Sequence, residues 1–144
     1  MISIREFTPE DYTAAFALWQ NAEGVCLGAS DTAEAIRQFL ERNPGLSFVA
    51  SDGGAMVGVL LCGEDGRRGY LHHLAVEASH RRRGIGTALV NRTMDALAAR
   101  GLHKCHLFVV NGNAQAIEFW ESAGWRVRGD IVMMSRVVEA SAGA

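Results

Sequence analysis

The stretch from Tyr70 to Val110 constrains this chain more than any other. An apolar run, Tyr70 to Val76, leads into Arg81-Arg82-Arg83-Gly84-Ile85-Gly86. The spacing then predicts a helix over about 84–100, with Ile85, Ala88, Leu89, Ala96 and Leu97 on one side and Gly101 as its stop signal. His103 to Val110 reads as another strand. A strand–helix–strand unit of this kind places its strands in parallel through a right-handed crossover. Ligands in such sheets bind beyond the carboxyl ends of the strands, which is where the Arg/Gly turn falls.

The composition of that turn suits an anion. Glycine removes the Cβ that would block a ligand's approach to the backbone. The first turn of a helix leaves N–H groups unsatisfied, and the macrodipole adds partial positive charge. Together these make a phosphate or pyrophosphate site. Two familiar phosphate loops do not fit: a Walker loop needs Lys-Ser or Lys-Thr after its last glycine, and here Thr87-Ala88 follows Gly86. A Rossmann fingerprint needs a third glycine where Leu89 stands. A structural turn with a solvated arginine face is the plain alternative.

The rest of the chain frames this unit. Its 144 residues predict one domain, 1–138, with a small, polar, frayed tail at 139–144. Ile2 to Phe7 reads as a strand, and Thr8-Pro9-Glu10-Asp11 as a helix start. Tyr12, Phe16 and Trp19 then mark a helix over 9–22, and Ile36, Phe39 and Leu40 a second over 31–42. A hairpin follows, Leu46 to Ser51 and Met56 to Cys62 around Asp52-Gly53-Gly54. After the central unit come a helix over 114–123 and two short strands within 125–138. The order is β-α-α-β-β-β-α-β-α-β-β, an α/β (α+β) fold with a mixed, mostly antiparallel central sheet flanked by about four helices.

A net charge of −2 argues against nonspecific nucleic-acid or anionic-membrane binding. Cys26, Cys62 and Cys105 have neither zinc-site nor disulfide-framework spacing and read as buried thiols, with no metal. No apolar stretch approaches the roughly 20 residues of a membrane span, and Met1 to Phe7 lacks a signal peptide's apolar run. A cytoplasmic protein is expected, working without nucleic acid or membrane; a homodimer is left open.

The residues now quoted resemble the GNAT superfamily of N-acetyltransferases. Arg81 to Gly86 matches the family's (Gln/Arg)-x-x-Gly-x-(Gly/Ala) signature, and Leu74-Ala75-Val76 its cofactor strand. Asn113-Ala114-Gln115-Ala116-Ile117-Glu118-Phe119-Trp120, closing at Gly124-Trp125, resembles the family's second motif, Asn-x-x-Ala-x-x-Phe-Tyr followed by Gly-Phe. The element order agrees over nearly the whole chain.

The resemblance implies acetyl-CoA as cofactor and an amine as acceptor. Backbone groups of Leu74, Ala75 and Val76 would hold the acetyl carbonyl and the pantetheine amides. The turn Arg81, Arg82, Arg83, Gly84, Ile85, Gly86 and Thr87 would hold the pyrophosphate. Asn113 would meet the pantetheine arm, with Ala116 and Trp120 on a helix flanking the cofactor. In two places the chain departs from the family. Trp120 stands where the thiol-protonating tyrosine is usual, and an indole N–H cannot serve as that acid. Phe108 stands where ribosomal-protein N-terminal acetyltransferases carry a glutamate.

Attack of a neutral amine on a thioester needs an oxyanion donor and a base. On Tyr70-Leu71-His72-His73-Leu74, regular alternation puts Tyr70 and His72 on one face and His73 on the other. His72 is thus the candidate base, with Tyr70 beside it, and His73 reads as a packing residue. Trp19, Glu23, Asp31 and Glu34 surround the loop before the second helix and are candidates for receiving a cationic amine. An acyl-CoA sensor without catalysis and a nucleotide-binding protein remain as alternatives.

Overall fold

The computed structural model describes residues 1–138; the tail expected at 139–144 lies outside the described residues. Two compact units, Met1–Asn111 and the segment from Gly112 onward, are taken in turn.

The first unit is built on five strands: β1 (Ile2–Glu6), β2 (Phe48–Asp52), β3 (Ala55–Glu64), β4 (Gly69–Val76) and β5 (Cys105–Leu107). They lie in sequence order, with the first three pairings antiparallel and β4–β5 parallel. The parallel pair is joined through a helix, as parallel neighbours must be, whereas β2–β3 and β3–β4 close through short turns and β1–β2 is joined through two helices.

Helices α1 (Tyr12–Gln20) and α2 (Ala33–Arg42) cover one face. Ahead of the first, Thr8 N–H donates to Asp11 Oδ2 at 2.9 Å and opens a 3-10 turn at Pro9–Asp11. Arg5 holds Asp11 with a two-pronged contact at 2.8 Å, which keeps that carboxyl below its ordinary range. Thr32 caps the second helix, its hydroxyl accepting from Ala35 N–H at 3.1 Å. Their inward side chains form a core of Ala15, Trp19, Ile36 and Leu40 with Phe7, Val49, Val59, Leu61 and Ala75.

Helix α3 (Ile85–Ala99) covers the opposite face. Val59 and Leu61 belong to the first core, so their odd-numbered parity leaves Gly58 pointing toward α3. A Cβ on Gly58 would come within 3.0 Å of Ile85 and 3.1 Å of Leu89. The missing side chain lets the first turns of α3 sit directly on β3. With helices on both faces, β3 is buried along most of its length and reads as a continuous apolar run.

In the second unit, α4 (Ala114–Ser122) begins at Asn113. The two strands expected within 125–138 are not there: those residues form no strand pairing, and Val127, Ile131, Val132 and Met134 are exposed. Apolar alternation allows an extended chain, but a strand exists only where its backbone finds a hydrogen-bonding neighbour. Cysteine burial also differs from expectation. Cys62 is buried, Cys105 is half-buried and Cys26 is exposed. Burial pushes the Cys62 thiol up to about 12 and the Cys105 thiol up to about 11, so neither is a nucleophile at neutral pH.

Candidate active site

Strand β4 outruns its parallel partner. The β4–β5 ladder covers only Gly69 to Leu71, and β4 continues to Val76 with no strand paired to that edge among the described residues. On its other edge β4 carries a bulge. Leu61 pairs with His72 and Val59 with Ala75, so Leu60 alone opposes both His73 and Leu74. His73 takes φ 56°, in the left-handed region that a residue with a Cβ rarely enters.

The bulge decides where the amides point. Gly69 N–H reaches Lys104 O at 3.0 Å, on the β5 side. Successive amides of a strand face alternate edges, so without interruption Glu77 N–H would face that side too. It bonds Val57 O on β3 instead, at 2.8 Å. One extra residue has reversed the alternation, and the N–H groups of Leu74 and Val76 therefore face the open edge.

The turn follows this strand in the chain. A 3-10 turn at Ala78–His80 leaves the strand. His80 is gripped there by Glu77 at 3.0 Å and Asp52 at 2.9 Å. Arg81 Nε donates back to Val76 O at 3.4 Å, tying the turn to the strand end. Arg82 has φ 65° and Gly84 φ 78°. Gly84 is the N-cap of α3 and no side chain caps the helix, so its first amides stay free to meet a ligand. A Cβ on Gly84 would meet nothing within 4 Å; glycine is required by its φ, not by space. Arg81, Arg82 and Arg83 are exposed, and among the described residues Arg82 and Arg83 form no ion pair. Free amides, a helix N-terminus and unneutralised guanidiniums fit a pyrophosphate. Ala75 and Ile85 are buried, so only their backbones could take part.

The two histidines do not divide between faces as regular alternation predicts. His72 stacks edge-on to Phe39 of α2 at 6.1 Å, and His73 edge-on to Trp19 of α1 at 5.2 Å. Both rings lie on the face that α1 and α2 cover, because the bulge turns His73 back. Burial, followed by the neighbouring His73, holds the His72 imidazole below its ordinary value, with Asp31 opposing. His73 is no mere packing residue: its Nε2 lies 2.7 Å from Asp31 Oδ1. Tyr70 packs against His106 at 5.7 Å and stacks on Phe108 at 6.4 Å, forming an aromatic wall where β5 ends.

The acceptor candidates fare unequally. Trp19 is fully buried, so it cannot meet a substrate. Its indole N–H donates to His73 O at 2.9 Å. Glu34 is engaged by Arg37 and Gln38. Glu23 is exposed. The Asp31–His73 pair was invisible in sequence, its members lying 42 residues apart. The one hint was a pair of consecutive histidines in an otherwise apolar strand, which regular alternation does not favour.

In the second unit, Asn113 Oδ1 accepts from Ala116 N–H at 3.1 Å, so this oxygen caps α4 rather than standing free for a ligand. Trp120 packs edge-on between Phe119 at 5.0 Å and Trp125 at 5.3 Å. Trp125 N–H also donates to Trp120 O at 3.0 Å, closing the helix. Among the described residues no three His, Cys, Asp or Glu side chains gather to hold a metal ion, and no helix is long and apolar enough to cross a membrane.

Comparison with known proteins agrees with this fold. The sequence profile of the acetyltransferase (GNAT) family matches residues 6–125. An acetyltransferase of Pectobacterium atrosepticum is 33% identical over 138 residues, covering 96% of this chain and 97% of the relative. Ard1 from Thermoplasma volcanium superposes with a TM-score of 0.79 at 23% identity, over 88% of this chain and 84% of the other. The PaiA N-acetyltransferase of Thermoplasma acidophilum, solved in complex with coenzyme A, gives 0.79 at 16% identity, over 89% and 91%. The chain belongs to the acetyltransferase (GNAT) family and is an acetyl-CoA-dependent N-acetyltransferase.

Proposed function

We propose that this protein, acting as one domain over 1–138, transfers the acetyl group to a primary amine by direct attack within a ternary complex. The acceptor is a small-molecule amine or the amine of a peptide. The observation that carries the reading is the unpaired edge of β4, toward which the Leu74 and Val76 amides turn, followed in the chain by an uncapped helix N-terminus. Acetyl-CoA supplies an activated thioester. Leu74 N–H donates to the carbonyl oxygen as it gains charge, and the backbone of Ala75 and Val76 holds the pantetheine amides. The amides of Arg82, Gly84, Ile85, Gly86 and Thr87 hold the pyrophosphate. Arg81 braces the turn, while Arg82 and Arg83 add field around the phosphates.

Asn113, Ala116 and Trp120 are assigned to the pantetheine arm, with the Asn113 amide nitrogen as the group left for it. Tyr70 and His72 line the acceptor end; the lowered pKa of His72 keeps it neutral and able to take a proton. Trp120 offers no acid, so the thiolate of CoA leaves unaided and takes its proton from water. The free thiols suit a reducing, cytoplasmic setting.

Thiol release from acetyl-CoA, followed across a panel of amines, tests the reading. Amine-dependent release with an N-acetylated product is expected. Tight CoA binding with no release on any amine would leave an acyl-CoA sensor, and a melting temperature raised by a nucleotide but not by CoA would sink both.

A further inference from the structure

His73 combines three observations that a packing residue does not need. It holds a strained φ of 56°, it sits at the bulge, and it is gripped twice from distant elements. Trp19 Nε1 donates to its carbonyl at 2.9 Å, which fixes the backbone. Asp31 Oδ1 meets its Nε2 at 2.7 Å, which fixes the ring. Asp31 is itself buried and held: its Oδ2 accepts from Gly28 N–H at 2.9 Å, and its backbone carbonyl accepts from the Tyr12 hydroxyl at 2.6 Å. Strained residues persist only where their surroundings over-determine them, and here the surroundings are α1 and the start of α2.

We infer that His73 is a positioning residue for acetyl transfer, and that Asp31 and Trp19 clamp it so that the bulge aims the Leu74 amide at the thioester carbonyl. The inference rests on the acetyl-transfer reading above. Without the bulge, the alternation of amides would turn Leu74 N–H toward β3 and leave the open edge without an oxyanion donor. A donor displaced by about 1 Å costs on the order of 10²-fold in rate. The clamp also links the acceptor side to the cofactor side. Gly28 and Asp31 belong to the segment leading into α2, so whatever settles that segment settles the amide two elements away. The pyrophosphate turn has no part in the clamp: His80, Glu77 and Asp52 hold it separately.

His73→Gly tests this, because glycine adopts a positive φ freely and keeps the bulge accessible while losing the grip of Asp31. The expected result is a fall in kcat of about 10- to 100-fold, with Kd for CoA changed less than about threefold. Asp31→Ala should show the same split, and Asp31→Asn, which can still accept from His73, should recover most of the kcat lost in Asp31→Ala. A His73→Gly enzyme with wild-type kcat overturns the inference. So does a fall in kcat matched by an equal loss of CoA affinity, which would mean a loosened strand and not a misaimed amide. A wild-type protein inert toward all amines would instead sink the acetyl-transfer reading, and the role of the clamp with it.

Discussion

The turn after β4 and the bulge within it each contain a non-glycine residue at positive φ, Arg82 at 65° and His73 at 56°, yet they are held in unlike ways. The turn is a local device. Gly84 and the uncapped start of α3 make its amides available, and its supports lie within the same few residues except for Asp52 on β2, which holds His80. The bulge is a device of the whole first unit. Its grip comes from Trp19 and Asp31, 54 and 42 residues away, on elements that cover the sheet. A ligand common to a whole family can be held by the backbone of one segment. If the Leu74 amide meets the thioester carbonyl as proposed, aiming it takes the packed core.

The sharpest attack on the bulge side is Trp19→Ala. It removes a fully buried indole together with the bond to His73, and stability should fall by about 3–5 kcal/mol, read by denaturant titration. If stability holds while kcat falls, the bulge would be separable from the core, and its contrast with the turn would fail. On the turn side, Gly84→Val forces a Cβ into a left-handed conformation. A strain of about 1–2 kcal/mol corresponds to an increase of about 5- to 30-fold in the KM for acetyl-CoA, with kcat little changed.

Gly58→Val probes the join between the two regions. Its side chain would press on Ile85 and Leu89 and displace the start of α3, costing about 1–3 kcal/mol of stability and raising the cofactor KM. His72 supplies a pH test. Its folded pKa is lowered below the ordinary 6.5, so the unfolded chain binds the proton more readily. Stability should fall as pH drops below about 6.5 and be level above it with respect to this group. In His72→Gln that acid-side fall in melting temperature should shrink. The smallest effect is expected for Arg83→Ala, about twofold in cofactor KM, since an exposed charge in water contributes little. Equal effects for Arg83→Ala and Gly84→Val would contradict a backbone-held pyrophosphate.

Much of the unit around the turn was legible in the sequence. The strand before Arg81, the glycines and the periodicity of α3 are local signals, and β4 and α3 lie within about a residue of where the spacing predicts them, whereas the strand expected over 103–110 pairs only over Cys105–Leu107. The last strands were not legible. Residues 125–138 carry apolar character without a paired neighbour, and pairing is a property of two segments, not of one. Nor could alternation foresee its own interruption at His73, because a bulge depends on which partner strand lies opposite.

The turn from Arg81 to Thr87 was thus determined by the sequence itself, since glycine conformations and helix ends are properties of adjacent residues. The family follows from that turn taken together with the Asn113–Trp120 motif and the profile match over residues 6–125. Tertiary structure alone decided which histidine meets a carboxylate, that Trp19 is a buried strut and no substrate platform, and which amides face the open edge of β4. Those outcomes depend on contacts between residues far apart in the chain, made only when α1 and α2 close over the sheet.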